Sequence, residues 1–229
     1  IPGPIALVEL GASAGLCLLP DRYTTRLPTP DGVVVLGEGE PVLEAEVDAG
    51  IAPRALPDIR WRRGVDLAPL DPRDVDDRRW LEASLPPDRP DRLARLRAAL
   101  RTARERPADV VAGEALAALP GLAAHAPRDA TLVVASLGTA VYLPPADRAR
   151  LLAAIAAVGA RAVTFEARAA VPEVAERWAA LVREGRADAD AGFVLALDGE
   201  PVASGSPHGD RVRAVRTPAG RAGGAPARS

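Results

Sequence analysis

The chain contains no Lys, Asn, Gln or Met. Apart from two histidines, all 29 of its basic residues are Arg. Codon usage in a GC-rich genome accounts for that bias. The arginines are interleaved with 31 acids and the formal charge is only −2. A nucleic-acid binder needs a one-signed patch, so no nucleic-acid partner is expected. Cys17 is the single cysteine, which excludes an intramolecular disulfide and a thiolate metal cluster. His125 and His208 lie far apart, in neither H-E-x-x-H nor H-x-x-E spacing, so no metal site is expected. No apolar run has membrane-spanning length, and no basic-then-apolar signal segment opens the chain. The expectation is a cytoplasmic protein without a membrane partner.

What remains is ample for a core. The 229 residues are 48% apolar, chiefly Ala, Leu and Val, and 26% charged. The chain enters an apolar run within a few residues of Ile1, which raises the expectation of a missing N-terminal segment. "IALVEL" (5–10), continuous and apolar between Pro4 and Gly11, predicts a buried parallel strand. "SAGLCLLPDRY" predicts a short helix interrupted near Pro20. The run 32–47, two β-rich stretches around "GEGEP", predicts a hairpin. A short strand should end at Asp66. Two helices follow, over "DDRRWLEASL" and "DRLARLRAALRTARE"; Leu93, Leu96, Leu100 and Ala103 share one face of the second. "ADVVAGEAL" predicts a strand and a turn, "DATLVVASL" a buried strand. "PADRARLLAAIAAVG" and "PEVAERWAALVREG" are helices punctuated by Pro and Gly, with the strand "ARAVTFEA" between them. "GFVLALDGEPVASGSPHG" predicts a hairpin around residues 198–201. The residues 217–229 lack core-forming side chains and should be disordered.

Alternating strands and helices predict an α/β fold: a three-layer, doubly wound, Rossmann-like sheet, mainly parallel. The C-terminal hairpin should add its only antiparallel pair. One domain over 1–216 is expected, with a β-hairpin insertion at about 24–60.

Ligands of open α/β sheets bind beyond the carboxyl ends of the strands. Glu9, Gly11, Ser13 and Gly15 stand there after the first strand, Asp66 after the second, Glu114 after the third and Ser136 after the fourth. Glycines let backbone approach a ligand. An acid after the second strand accepts both hydroxyls of a ribose, and one after the third accepts from an adenine amino group. Tyr142, Glu166 and His208 are candidates for the substrate side. Each position also has a structural reading: Asp66 as a turn residue, Glu114 as a solvated acid, Glu166 as a surface carboxylate, His208 as a hairpin histidine bonded to backbone. Asp21 and Tyr23 are expected to pack the first helix, and Cys17 to lie in the core. Dinucleotide binding is the nearest rival, but Asp66 lies far beyond the roughly 20 residues expected after such a loop.

"ELGASAG" resembles the first motif of class I methyltransferases, E/D-x-G-x-G-x-G, with Ser13 as the middle residue. "GVDLAP" and "GEA" resemble the G-x-D-x-S/T-P and G-D-A stretches of that superfamily. The resemblance implies S-adenosylmethionine as cofactor, and a terminal antiparallel hairpin as in that architecture. From Ile5 to about Val215 the chain also resembles the bacterial domain-of-unknown-function family 2332. That family carries E-(V/I/L)-G-A-S-A-G-L-N-L-x-x-D-R-Y, then R-x-G-x-D-L-x-P-L-D, then H-P-H-G. The chain has "ELGASAGLCLLPDRY", "RRGVDLAPLD" and "SPHG". Cys17 stands for the usual Asn and Ser206 for the first His. Two functions are therefore expected as alternatives. One is an S-adenosylmethionine-dependent methyltransferase acting on a small molecule. The other is a catalytically inactive nucleoside-binding or regulatory module. Neither the methyl acceptor nor the oligomeric state is legible.

Overall fold

A computed structural model describes residues 1 and 3–217. The expected tail, beyond Thr217, lies outside them. In chain order the strands and helices are β1 (Ile5–Leu10), β2 (Thr24–Thr29), β3 (Gly32–Leu36), β4 (Val42–Glu44), β5 (Glu46–Val47), β6 (Ile59–Asp66), α1 (Val75–Ala83), α2 (Pro90–Glu105), β7 (Asp109–Ala112) and α3 (Ala115–Ala124). Then come β8 (Thr131–Leu137), α4 (Pro145–Ala157), β9 (Arg161–Ala167), α5 (Pro172–Arg183), β10 (Phe193–Leu197), β11 (Glu200–Gly205) and β12 (Arg211–Ala214).

Among the described residues the architecture is mixed α/β, with one large, mostly parallel sheet and five helices. The nine strands run β5-β12-β11-β10-β9-β8-β1-β6-β7. Those from β7 to β9 are mutually parallel. The chain builds outward from β1 through β6 to β7, then returns to the other side of β1 for β8 and β9. The order therefore reverses between β1 and β8.

All six residues of β1 are buried. Both faces of this central strand are covered, which is why its sequence does not alternate. On one face Val8, Leu10, Val65, Val134 and Ala162 pack against Leu119 and Leu122 of α3, Leu151 and Ile155 of α4, and Val174 and Trp178 of α5. On the other face Ile5, Leu7, Val133 and Ala135 meet Ala12 and Leu18 of the loop after β1. Leu19 and Tyr23 then pack on Ala99 and Ala103 of α2. Pro at the first turn and a left-handed Gly after the last bracket α4 and α5 as expected.

Four expectations need correction. The stretch after β1 is not a helix but two 3-10 turns, Leu16–Leu18 and Pro20–Arg22. Left-handed residues at 11, 13 and 15 keep the chain out of helical conformation until Leu16. Next, β3 does not pair with β4. A two-residue turn at Pro30–Asp31 folds β3 onto β2, and β4 adds parallel on the other side of β2. Also, α3 follows β7 directly even though Pro120 lies inside it. The pull of Leu119 and Leu122 into the core outweighs that Pro. Finally, the hairpin around 198–201 is real and belongs to the same sheet as β1, but it is not the only antiparallel contact. The pairs β9·β10, β10·β11 and β11·β12 are all antiparallel.

Candidate functional site at the strand reversal

Glu9 is the last-but-one residue of β1 and is 4% exposed. Strand alternation puts it on the face of Leu7, under the loop 11–18. The Cys17 thiol lies near enough to its carboxyl to favour the charged form. Its Oε2 is buried without a partner among the described residues. No cation among the described residues offsets it. Burial pushes its pKa up to about 8; the Cys17 thiol pulls against that rise and the Asp66 charge adds to it. Glu9 is therefore chiefly protonated at neutral pH. Cys17 is not a core residue, contrary to expectation: it keeps an exposed edge. Dense protein around the thiol, with the Glu9 carboxyl beside it, still pushes it up to about 12.

The loop itself is largely bonded to protein. The Gly11 and Ala12 amides both donate to Val65 O, and the Gly15 amide donates to Ala12 O. The Ser13 amide donates to Asp66 Oδ2 at 2.8 Å, and the Ala68 amide to Asp66 Oδ1 at 2.9 Å. Both oxygens of Asp66 thus brace backbone, the structural one of the two roles weighed for it. A carboxylate offers about four lone-pair sites, so acceptor capacity remains. Among the described residues the amides of Ala14, Leu16 and Cys17 are left uncommitted.

Gly11 has a packing reason. At φ +71° an added Cβ would lie 2.5 Å from Thr139 Cγ2 and closer still to its hydroxyl. Thr139 Oγ1 in turn donates to Leu10 O at 2.9 Å, tying the loop after β8 to the end of β1. Ser13 takes the left-handed conformation itself, at φ 51°.

Glu166 is neither a surface carboxylate nor a free pocket acid. Its Oε1 accepts from Ser136 Oγ at 2.6 Å and from the Thr139 and Ala140 amides, both at 3.0 Å. It anchors the loop after β8, and Ser136 is spent in the same cluster. Burial raises its pKa, against the pull of those bonds. Oε2 of Glu166 and the Thr164 hydroxyl are buried without partners among the described residues.

Glu114 sits at the N-terminus of α3 without capping it, exposed and unpaired among the described residues. Tyr142 follows the anchored loop and is 85% exposed. His208 is in the loop between β11 and β12. Its two ring nitrogens lie 3.3 and 3.1 Å from the Arg92 guanidinium rather than on backbone. The hydroxyl of Ser206 bonds the Asp210 carboxylate and closes that loop.

The "DRY" triplet stiffens the same region. Arg62 of β6 holds Asp21 through two bonds of 2.6 and 2.8 Å and also donates to Leu18 O. The Tyr23 hydroxyl donates to Leu16 O at 2.8 Å. Arg62 and Thr139 are the two bracing residues that sequence reasoning missed: Arg62 opens the "RRGVDLAPLD" stretch, but its partner Asp21 is 41 residues away, and Thr139 stands in no motif. Among the described residues no three His, Cys, Asp or Glu side chains come together as a metal site. Among them, too, no helix is long and apolar enough to cross a membrane.

Residues 1–214 match the family described as "Uncharacterized protein conserved in bacteria (DUF2332)". The chain belongs to this family. No curated protein and no solved structure matches it. The family's long first motif now reads residue by residue. Gly11 clears Thr139, Ser13 meets Asp66, and Asp21 and Tyr23 pin the turns. Glu9 and position 17, where this member carries Cys, are left facing each other.

Proposed function

We propose that the chain binds S-adenosylmethionine at the carboxyl edge of β1, β6, β7 and β8, as a methyltransferase acting on a small molecule. The observation that carries this reading is Glu9: a buried carboxyl with one unpartnered oxygen and, among the described residues, no cation beside it. A buried, unpaired acid is costly, and a ligand ammonium is a group that would relieve it. The uncommitted amides of Leu16 and Cys17, a short distance along the same loop, suit the ligand's carboxylate. Glu114 is free to accept from an adenine amino group, and Asp66 retains lone pairs for ribose hydroxyls. Support also comes from the strand order, third-second-first-fourth-fifth, which is that of doubly wound, Rossmann-like nucleotide-binding sheets.

S-adenosylmethionine supplies an already activated sulfonium methyl group. What this chain has to contribute is alignment and dryness. The Glu166 anchor fixes the loop that carries Tyr142, and the Asp21–Arg62 clamp fixes the turns that carry Cys17.

Calorimetric titration with S-adenosylmethionine, S-adenosylhomocysteine and NAD tests the reading. The first two share the amino-acid end and should bind; NAD should not. Pairing Glu9 with an ammonium displaces its proton, so affinity should rise with pH up to about 8. Above that the ligand's own α-amino group loses its charge. Absence of binding by both sulfur ligands overturns the reading. The alternative, a nucleoside-binding or regulatory module without catalysis, is favoured by the number of loop amides spent on protein. It requires adenosine alone to bind as tightly as S-adenosylmethionine.

A further inference from the structure

The excursion between β1 and β6 carries a strand that the main sheet does not use. We propose that β3 is a dimerisation edge: it pairs antiparallel with β3 of a second copy of this chain, about a two-fold axis through Val34. β3 is the outer strand of the sheet β3-β2-β4. The two-residue turn at Pro30–Asp31 makes Thr29 and Gly32 a hydrogen-bonded pair, and such pairs then alternate along the ladder. Val34 and Leu36 therefore bond to β2, while Val33 and Val35 turn their N–H and C=O groups outward. Pro28, opposite Val33, fits this register, because its missing N–H would have pointed away from β3. No described group bonds the outward amides or carbonyls of Val33 and Val35.

Exposed edges are normally blunted by a charge, a proline, a bulge or a cover. β3, "GVVVL", has none of these, and its Val33 and Val35 are 49% and 55% exposed. The occupant follows from the register. An axis through Val34 sets Val33 against Val35 of the second copy, twice. Every outward donor and acceptor then meets its complement, and both copies use the same patch. An axis through Val33 would pair Val35 with Asp31, and one through Val35 would pair Val33 with Gly37; neither stays within the strand. Asp31 falls opposite Gly37 and Glu38 opposite Pro30, so no acid faces an acid. The strand offers no charge by which to select a foreign partner. The result is a continuous six-stranded sheet built from two three-stranded ones.

Light scattering after size exclusion, on the full chain from about 1 to about 200 μM, reads the equilibrium. The wild type should shift from monomer to dimer across that range. Val35→Lys should remain monomeric at every concentration with an unchanged melting temperature, because that side chain is on the exposed face. Hydrogen exchange gives the second reading. The Val33 and Val35 amides should gain protection at the high concentration, whereas the Val34 amide is protected at both. A wild type that stays monomeric overturns the proposal. So does a dimer whose Val33 and Val35 amides exchange as fast as in the monomer, or one that survives Val35→Lys.

Discussion

Replacing Glu9 by Gln should make the protein more stable in base and leave it unchanged in acid. The folded-state pKa of Glu9 is raised from 4.5 to about 8 by burial. Below pH 4.5 both folded and unfolded chains carry the proton, and the residue contributes no pH dependence. Between 4.5 and 8 the unfolded chain releases it and the folded chain keeps it. Stability therefore falls as pH rises through that window, and levels off above 8. Each pKa unit corresponds to about 1.4 kcal/mol. Between pH 5 and pH 8.5 the wild type should lose about 4 kcal/mol relative to Glu9→Gln, which has nothing to titrate. Urea unfolding at several pH values measures the difference directly. The two denaturation midpoints should converge toward pH 4.5 and diverge toward 8.5. A gap between them that is the same at every pH would refute the reasoning. It would mean that Glu9 is already ionised in the folded chain, paired with a cation that the fold does not show.

Three further outcomes follow from the braces around this site. Gly11→Ala forces a left-handed φ and a Cβ within 3.0 Å of Thr139 atoms, so it should cost about 2–4 kcal/mol by thermal or urea unfolding. Adding Thr139→Ala should recover part of the loss; a double variant no better than the single would show that the contact is not the cause. Asp21→Ala leaves Arg62 without its two-bond partner in a mostly buried position and should cost about 2–4 kcal/mol near neutral pH. Arg62 outweighs burial and holds Asp21 below its ordinary 3.8, so the wild-type advantage should shrink as pH falls below that value. Glu166→Ala frees the Thr139 and Ala140 amides and the Ser136 hydroxyl, and should raise hydrogen exchange at residues 138–142 before it lowers global stability.

The parts of this fold that show in the sequence are those set by local chemistry. Continuous apolar runs gave β1 and β8 because both faces of those strands are covered. Pro and Gly punctuation gave α4 and α5 because it acts within one turn of chain. The hairpin at 198–201 was legible because Asp198 and Gly199 take the left-handed conformations its turn needs. The misreadings concern partners distant in sequence. β3 and β4 look like a hairpin, yet β2, which ends at a turn of only two residues, is nearer to both. The end of β1 looks like a helix start, yet the Asp66 carboxylate, 53 residues away, takes the Ser13 amide. The candidate site divides in the same way. Glu9, Asp66 and Glu166 were visible as acids at strand ends. Which of them was occupied by backbone and which was left unpartnered depends on contacts across the sheet.

That division bears on what the motif resemblance means. A long stretch shared with a family invites the view that every residue in it touches a ligand. Here the stretch decomposes. The Gly11 position is empty because a Thr139 side chain fills the space, Asp66 holds a turn, Asp21 meets an Arg and Tyr23 caps a carbonyl. Each would be required of any chain that folds this way, with or without a ligand. The residues that remain after this subtraction are Glu9, with an orphaned oxygen, the thiol beside it, and the free amides next to that thiol. Exposed Glu114 and Tyr142 stand at the ends of neighbouring strands. A functional reading gains weight from these: the buried oxygen of Glu9 costs the fold something that packing does not return, as do Glu166 Oε2 and the Thr164 hydroxyl on β9, while Glu114 and Tyr142 are exposed and available. Substitutions that separate function from folding should therefore begin at positions 9, 17 and 114, where the structure leaves hydrogen-bonding capacity unspent. Positions 11, 13 and 66 are poor choices, because a change there disturbs the loop before it disturbs a ligand.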